Sequence, residues 1–376
     1  MSEAGTSAQD IIERYAIDHT KRFGEGGYGA TFAALDRKTN EKCVVKVIDT
    51  RKMKVALIKK ECQFLEYVRG HQNIIDIRDH TLGVGRHSHL YFIFMECASG
   101  GELFDQLTTH NGPVPEEVTK GFMVGLINAI AHCHAMGVAH RDIKLENVLL
   151  NSVGEVKLID FGLSHQYYRD PNTGVVDRSR PIEGFCGSKS YAAPEVLVGR
   201  GYDGFDADMW SLGVCIFGLL MGFFPVDEAK ASDWRYVRLV SAQKEAKSTT
   251  KAILEWYKRT PKHISPEAVD LLDQLLRIDA SARPSIGTVL QHPWITGTTL
   301  EVASSGWSSE ELHYRGSGVQ KSFDLVDDME IMDDAPVYRS LGAFPGDDEP
   351  LPEMPTLARQ AAFGGQESAF GDIFAL

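Results

Sequence analysis

The sequence predicts an α+β protein of two packed lobes followed by a tail of different composition. Three observations lead there. Residues 17–49 alternate apolar and polar positions and break at GEGG and at RKTNEK, the pattern of a β-rich start. The run DADMWSLGVCIFGLLMGFFP, residues 206–225, is apolar nearly all round and reads as a buried helix. At 376 residues the chain is long for a single core, and from Gly297 onward it becomes rich in Gly, Ser, Pro and acid.

An apolar content of 43% with 24% charged residues is ordinary for a globular chain. No stretch approaches the roughly 20 uninterrupted apolar residues of a membrane helix, so no membrane association is expected. The opening MSEAGTSAQDIIERY lacks the plan of a signal peptide and the glycine needed for myristoylation. Cys43, Cys62, Cys97, Cys133, Cys186 and Cys215 form no CxxC pair and sit mostly in apolar runs. That is how buried free thiols look in a reducing compartment, and a cytoplasmic or nuclear location is expected. The net charge of −13 argues against nucleic acid and anionic membranes as main partners. Most of it lies in the tail, where 15 acidic residues face 4 basic ones. The tail is expected to be mostly disordered.

The chemistry concentrates in VAHRDIKLENVLL, Val138 to Leu150, followed by Asp160-Phe161-Gly162. Asp142 is placed to accept a proton from an attacking hydroxyl, and Lys144 to neutralise a transferring phosphoryl group. Asn147 and Asp160 are oxygen ligands of the kind Mg²⁺ takes when it also holds substrate phosphates. HRD alone recurs by chance on surfaces; HRDIKLEN with DFG at this spacing does not.

On these residues the chain resembles the eukaryotic protein kinase family, serine/threonine type. The resemblance covers about Tyr15 to Ile295. It is nearest to the calcium/calmodulin-dependent and SNF1-related group, through HRDIKLEN, GGELF and CGSxxYAAPE. It implies a small β-rich N-lobe with one main helix (15–95) and a larger, mostly helical C-lobe (99–296). A short extension (1–14) would precede them and the acidic tail (297–376) would follow. It also implies ATP and Mg²⁺ as cofactors and protein substrates with Ser or Thr acceptors.

Taken in order, Gly24, Gly26 and Gly29 match GxGxxG. A second strand, not a helix, follows them, which favours a kinase glycine-rich loop over a dinucleotide-binding turn. Such glycines let backbone amides approach phosphates that a Cβ would block. Thr31 stands where relatives have the valine over adenine, and Val44 where VAIK has alanine. Lys46, charged on an apolar strand, needs a partner. The next segment is helical, with Ile58, Cys62, Leu65 and Val68 on one face. Glu61 matches the family's glutamate for Lys46; Glu66 is the competing candidate, and a solvated face is the plainer alternative.

The resemblance makes Met95 the gatekeeper and Glu96 to Ala98 the hinge that contacts adenine through its backbone. Glu102 and Glu146 fall where basophilic kinases hold a substrate arginine, whereas Gly218 replaces a further glutamate. One upstream arginine is therefore expected. Glu102 also reads as an N-terminal helix acid complementing the dipole. Ser188 matches the residue that bonds the catalytic aspartate and lysine. The activating threonine of relatives is replaced by Gly184, leaving Arg141 without its usual phosphate. Either Glu183 substitutes as a fixed carboxylate, or Thr173 or Ser179 in the DPNTGVVDRSRP insertion is phosphorylated. Asp208, Glu195 with Arg283, and His292 to Trp294 match structural positions of the lower lobe. The stretch from Pro225 to Ser265 is about ten residues longer than in relatives and reads as a docking element or a plain surface loop.

In the tail, Leu357 to Phe363 has a basophilic substrate layout with Ala362 in place of the acceptor. It reads as a pseudosubstrate with Arg359 meeting Glu102, or as a chance match in an alanine-rich segment. Phe370 and Phe374 offer a weaker hydrophobic-motif reading. The tail lacks a basic amphipathic helix, so calmodulin is not expected as a partner. The other function classes considered are a pseudokinase, which would lack one of Lys46, Asp142, Asn147 or Asp160, and a small-molecule kinase, which GSxxYAAPE disfavours.

Overall fold

The computed structural model describes residues 7–259 and 264–297. Helix α1 (Ala8–Arg14) opens with a capping box between Ser7 and Asp10. Strands β1 (Tyr15–Gly26), β2 (Gly29–Asp36) and β3 (Glu41–Asp49) follow as an antiparallel meander, so the alternation in residues 17–49 does make strands. Helix α2 (Val55–Val68), β4 (Ile77–Leu82) and β5 (Leu90–Glu96) complete this lobe, with sheet order β1-β2-β3-β5-β4. On α2 the expected stripe is the buried one: Ile58, Cys62, Leu65 and Val68 are each at most 1% exposed.

α1 is fastened to this sheet. Arg14 donates to Asp36 and to Asp79 of β4, and Tyr15 stacks on Phe94 with ring centroids 3.9 Å apart.

The second lobe starts with α3 (Asp105–Thr109) and α4 (Glu116–Ala135). Short strands β6 (Val138–Ala139), β7 (Val148–Leu150), β8 (Val156–Leu158) and β9 (His165–Gln166) frame the HRDIKLEN segment, as β6–β9 and β7–β8 pairs. β10 (Tyr168–Arg169) and β11 (Val176–Asp177) form a small hairpin in the insertion singled out above. Then come α5 (Pro194–Val198), α6 (Gly204–Met221), α7 (Trp234–Lys244), α8 (Thr249–Trp256), α9 (Pro266–Leu275), α10 (Ile286–Leu290) and α11 (Pro293–Thr296).

α6 is the axis of this lobe. By length and hydropathy it could span a membrane, yet 94% of it is buried inside the protein. Its ends are set locally: Asp203 caps the first turn, and Gly222 closes the last in a left-handed conformation that a Cβ disfavours. The long stretch after Pro225 forms α7 and α8, joined by the Trp234–Trp256 contact. Glu116 of α4 draws the far end inward, accepting from Ser265 and from the buried Trp294 indole at 2.9 Å. One large apolar core runs from α2 and β5 through α4 to α6 and α9, and a smaller one lies within the β1–β3 and β5 layer.

Candidate active site

The site is built where β2, β3 and β5 turn one face towards the second lobe. Strand alternation puts Thr31, Lys46 and Ile93 side by side across three strands, and Ala33, Val44 and Met95 form the next row. Neighbouring positions on the same strands, such as Val45 and Phe94, point into the small core instead. Which side chains share this face is therefore fixed by register alone. At its edge the Glu96 carboxylate turns away, accepting from Lys157 at 2.7 Å and from the Asp76 N–H at 2.8 Å. What Glu96 to Ala98 offer the pocket is backbone.

The glycine turn joins β1 to β2, pairing Gly24 with Thr31 and Gly26 with Gly29. A Cβ on Gly24 would enter empty space, whereas a Cβ on Gly29 would lie 2.0 Å from the Val47 carbonyl oxygen. Gly29 is thus a packing requirement of β3. Gly24 borders the open space over which phosphates would be cradled.

Lys46 donates to Glu61 at 2.9 Å, across from β3 to α2. Burial opposes the ammonium charge, but Glu61 and Asp160 override it and hold Lys46 above its ordinary value. Burial pushes the Glu61 carboxyl up, with Lys46 pulling it back. Glu66, the competing candidate, faces His80 instead, at 3.2 Å.

Asp160 has a left-handed backbone, φ 62°, stabilised as its carboxylate accepts from the Gly162 N–H at 3.2 Å. Phe161 beside it is fully buried, edge-on to His140 with centroids 4.8 Å apart. Enclosure in the cleft pushes the Asp160 carboxyl up, but Lys46 prevails and holds it below the usual range. The anion therefore persists at neutral pH.

The loop that carries Asp142 is shaped from below. Asp208 of α6, 1% exposed, accepts from the backbone N–H of His140 and Arg141 at 2.9 and 2.8 Å and from His134 at 2.9 Å. This holds Arg141 at φ 69° and presents Asp142 upward. Asp142 meets Lys144 Nζ at 3.1 Å, Asn147 Nδ2 at 2.8 Å, and the Ser188 N–H and hydroxyl at 3.2 and 3.3 Å. Lys144 also donates to Ser188 Oγ at 2.9 Å. Burial works against the Lys144 charge, and Asp142 overrides it, keeping the ammonium protonated.

Asn147 spends its NH₂ on the Asp142 carbonyl and carboxylate. That leaves its Oδ1 as the atom that could serve as an oxygen ligand. Among the described residues no group of three or more His, Cys, Asp or Glu converges to hold a metal. Asn147 and Asp160 fit a Mg²⁺ ion that takes its remaining oxygens from phosphate and water, and fit nothing softer.

Glu146 is half-buried and accepts from the Tyr191 hydroxyl at 2.9 Å, and burial pushes its carboxyl up. Glu102, half-buried, bridges to Leu149 through its backbone.

The structure does not bring Glu183 to Arg141. Glu183 is exposed and in no ion pair among the described residues, while Arg141 donates to the Tyr202 hydroxyl at 2.9 Å and the Leu163 carbonyl at 3.2 Å. A side chain one residue before Gly184 points to solvent, and neutral acceptors have taken its place. Sequence spacing gave no signal for Tyr202. Nor did it flag Tyr191 as the partner of Glu146. Arg359 and Ala362 lie outside the described residues, as does the rest of the tail beyond Gly297.

A family model for the protein kinase domain matches residues 17–295. The chain belongs to the protein kinase family. It is 34% identical over 291 residues, 76% of the chain, to a CBL-interacting serine/threonine-protein kinase 12 of Arabidopsis thaliana, covering 53% of that protein. CBL-interacting protein kinase 1 of Oryza sativa subsp. japonica is 33% identical over 78% of the chain and 58% of its own length. The human SNF-related serine/threonine-protein kinase is 32% identical over 76% of the chain and 34% of its own length. The chain thus spans about half the length of the plant relatives. Within the kinase domain the smaller lobe is the sheet with α2, the larger one the helical layer around α6, and the site above lies between them.

Proposed function

We propose that this chain is a serine/threonine protein kinase that transfers the ATP γ-phosphoryl group to a protein hydroxyl. The observation that carries the reading is the closed set around Asp142: Lys144, Asn147 and Ser188 converge on it, while Lys46 is paired with Glu61 in the smaller lobe and feels the charge of Asp160. Mg²⁺, when bound with ATP, supplies charge neutralisation on the phosphates.

The protein's own contribution is position and charge. Lys46, locked by Glu61, is aimed at the α- and β-phosphates. Asn147 Oδ1 and the Asp160 carboxylate would hold the Mg²⁺. Thr31, Val44 and Met95, with the backbone of Glu96 to Ala98, would receive the adenine. Asp142 orients the acceptor hydroxyl and takes its proton as the bond to phosphorus forms, and Lys144 neutralises the charge on the transferring group. Ser188 seats the substrate backbone beside Asp142.

Glu102 and Glu146 would receive an upstream arginine. Glu146 is one acceptor short through Tyr191, which supports a preference for a single arginine. We further place the protein in a reducing compartment, the cytoplasm or nucleus, on the support of six cysteines that are all free thiols.

The test uses paired peptides, LxRxxS and LxAxxS, with Mg²⁺-ATP. The arginine peptide is expected to have a KM about tenfold lower, and Glu102→Gln to erase most of that difference. Equal KM values for both peptides would remove the arginine subsite. Transfer to neither would remove the kinase reading.

A further inference from the structure

The segment between Asp160 and Glu195 is described throughout, with glycine and no acceptor residue at position 184. A Cβ at that glycine would touch nothing, and its φ of +83° disfavours any other residue. With Glu183 turned to solvent, no carboxylate among the described residues pairs with the Arg141 guanidinium. Two unmodified side chains tie the segment down instead.

The first is Tyr202, 4% exposed. Its backbone exchanges both hydrogen bonds with Ile182 of the segment, at 2.8 and 3.0 Å. Its hydroxyl accepts from Arg141 Nε at 2.9 Å and contacts Cys186 Sγ at 3.7 Å, and the Arg141 guanidinium lies over its ring. Arg141 also reaches the Leu163 carbonyl just past Gly162, and Gly187 packs so closely that a Cβ there would lie 2.8 Å from the Arg141 carbonyl oxygen. Tyr202 therefore joins the metal-binding turn, the catalytic loop and the segment through one arginine.

The second is Arg178, which follows β11. Its Nε donates to Asp203 and its Nη2 to Asp206, both at 2.6 Å, and its guanidinium lies over Phe205 at 5.0 Å. Asp203 caps α6, and the Asp206 carbonyl accepts from Arg283, which pairs with Glu195 at the segment's other end. The polarity is reversed from a phosphate clamp: the segment supplies the cation and the lobe supplies the anions. Arg178 also separates two carboxylates that would repel without it.

We propose that Arg178 and Tyr202 are positioning residues that hold the activation segment over the catalytic loop in place of a phosphorylated residue, so that the kinase works with this segment unmodified. The inference rests on the kinase reading above. Thr173 and Ser179 are then not required as phosphate carriers; both sit in local turns capped by Asp170 and Asp177.

The experiment uses the full chain, stripped by a broad-specificity phosphatase and checked by mass spectrometry for absence of phosphate on residues 160–195. Its kcat towards the LxRxxS peptide is expected to equal that of the untreated protein. Tyr202→Phe and Arg178→Gln are each expected to lower kcat about tenfold with the KM for ATP unchanged. Arg178→Lys should recover part of the loss, since it keeps the charge but not the fork. The thermal midpoint of each variant is measured alongside, so that a fall in kcat without a fall in midpoint reports positioning. Loss of activity on phosphatase treatment, with recovery on rephosphorylation, would overturn the proposal. So would wild-type kcat in both Tyr202→Phe and Arg178→Gln. If untreated wild type transfers no phosphate, the kinase reading itself fails and takes this one with it.

Discussion

Single charged residues hold the site together, each with a partner that fixes its place. Glu61 is nearly buried, and its value is to hold Lys46. Replacing it by glutamine removes a charge-assisted bond of about 2 kcal/mol, which should lower kcat/KM for ATP by about 30-fold while leaving the fold intact. Steady-state kinetics beside a melting curve would show this, and an unchanged kcat/KM would detach Glu61 from the site. The motif residues were legible because phosphoryl transfer demands particular residue types at short fixed offsets, so Asp142, Lys144 and Asn147 announce themselves together. Glycines were less transparent. Gly29 fits a phosphate-loop pattern, but its Cβ position is closed by the Val47 carbonyl, a constraint that only β3 in place can reveal. Arg178 and Tyr202 were illegible for a related reason: their partners lie 25 and 61 residues away, and no periodicity links such positions.

At the scale of elements, α1 and α2 decide whether the upper half of the site stays assembled. The sequence suggested an extension before Tyr15; the structure shows a capped helix whose last residue, Arg14, neutralises Asp36, itself fully buried. Arg14→Ala leaves that carboxylate without its cation and is expected to cost about 3 kcal/mol in chemical denaturation. Arg14 holds the Asp36 carboxyl well below the ordinary range, although burial pushes the other way. Its stabilising contribution is thus fully present above an unfolded carboxylate pKa of about 3.9 and fades as pH falls further towards the depressed native value. Wild type and Arg14→Ala should therefore converge in stability on acidification; a constant gap down to the lowest pH at which both fold would contradict the assignment. The helical stripe on α2 was fully legible, because a period of 3.6 is written directly into residues 58–68. Leu65→Ala should cost about 2–5 kcal/mol and loosen the helix that carries Glu61. A differential-scanning measurement showing less than about 0.5 kcal/mol would show that this helix is not anchored as described.

At the scale of the whole molecule, two lobes share one apolar core, and the catalytic groups are hung from both sides of it. α6 is the frame: its Asp208 shapes the catalytic loop, its Asp203 and Asp206 receive Arg178, and Arg283 with Glu195 closes the far edge at 2.6 and 2.8 Å. Its apolar sequence made burial legible, but not which face would meet the activation segment. As proposed above, these groups form a working phosphotransferase whose base is Asp142. The most direct measurement is Mg²⁺-dependent transfer of labelled γ-phosphate from ATP to a Ser-bearing peptide, comparing wild type with Asp142→Asn at matched folding. Wild type is expected to transfer, and Asp142→Asn to lose about 10²–10⁴-fold in kcat. Equal rates in both proteins, or none in wild type, would contradict the account.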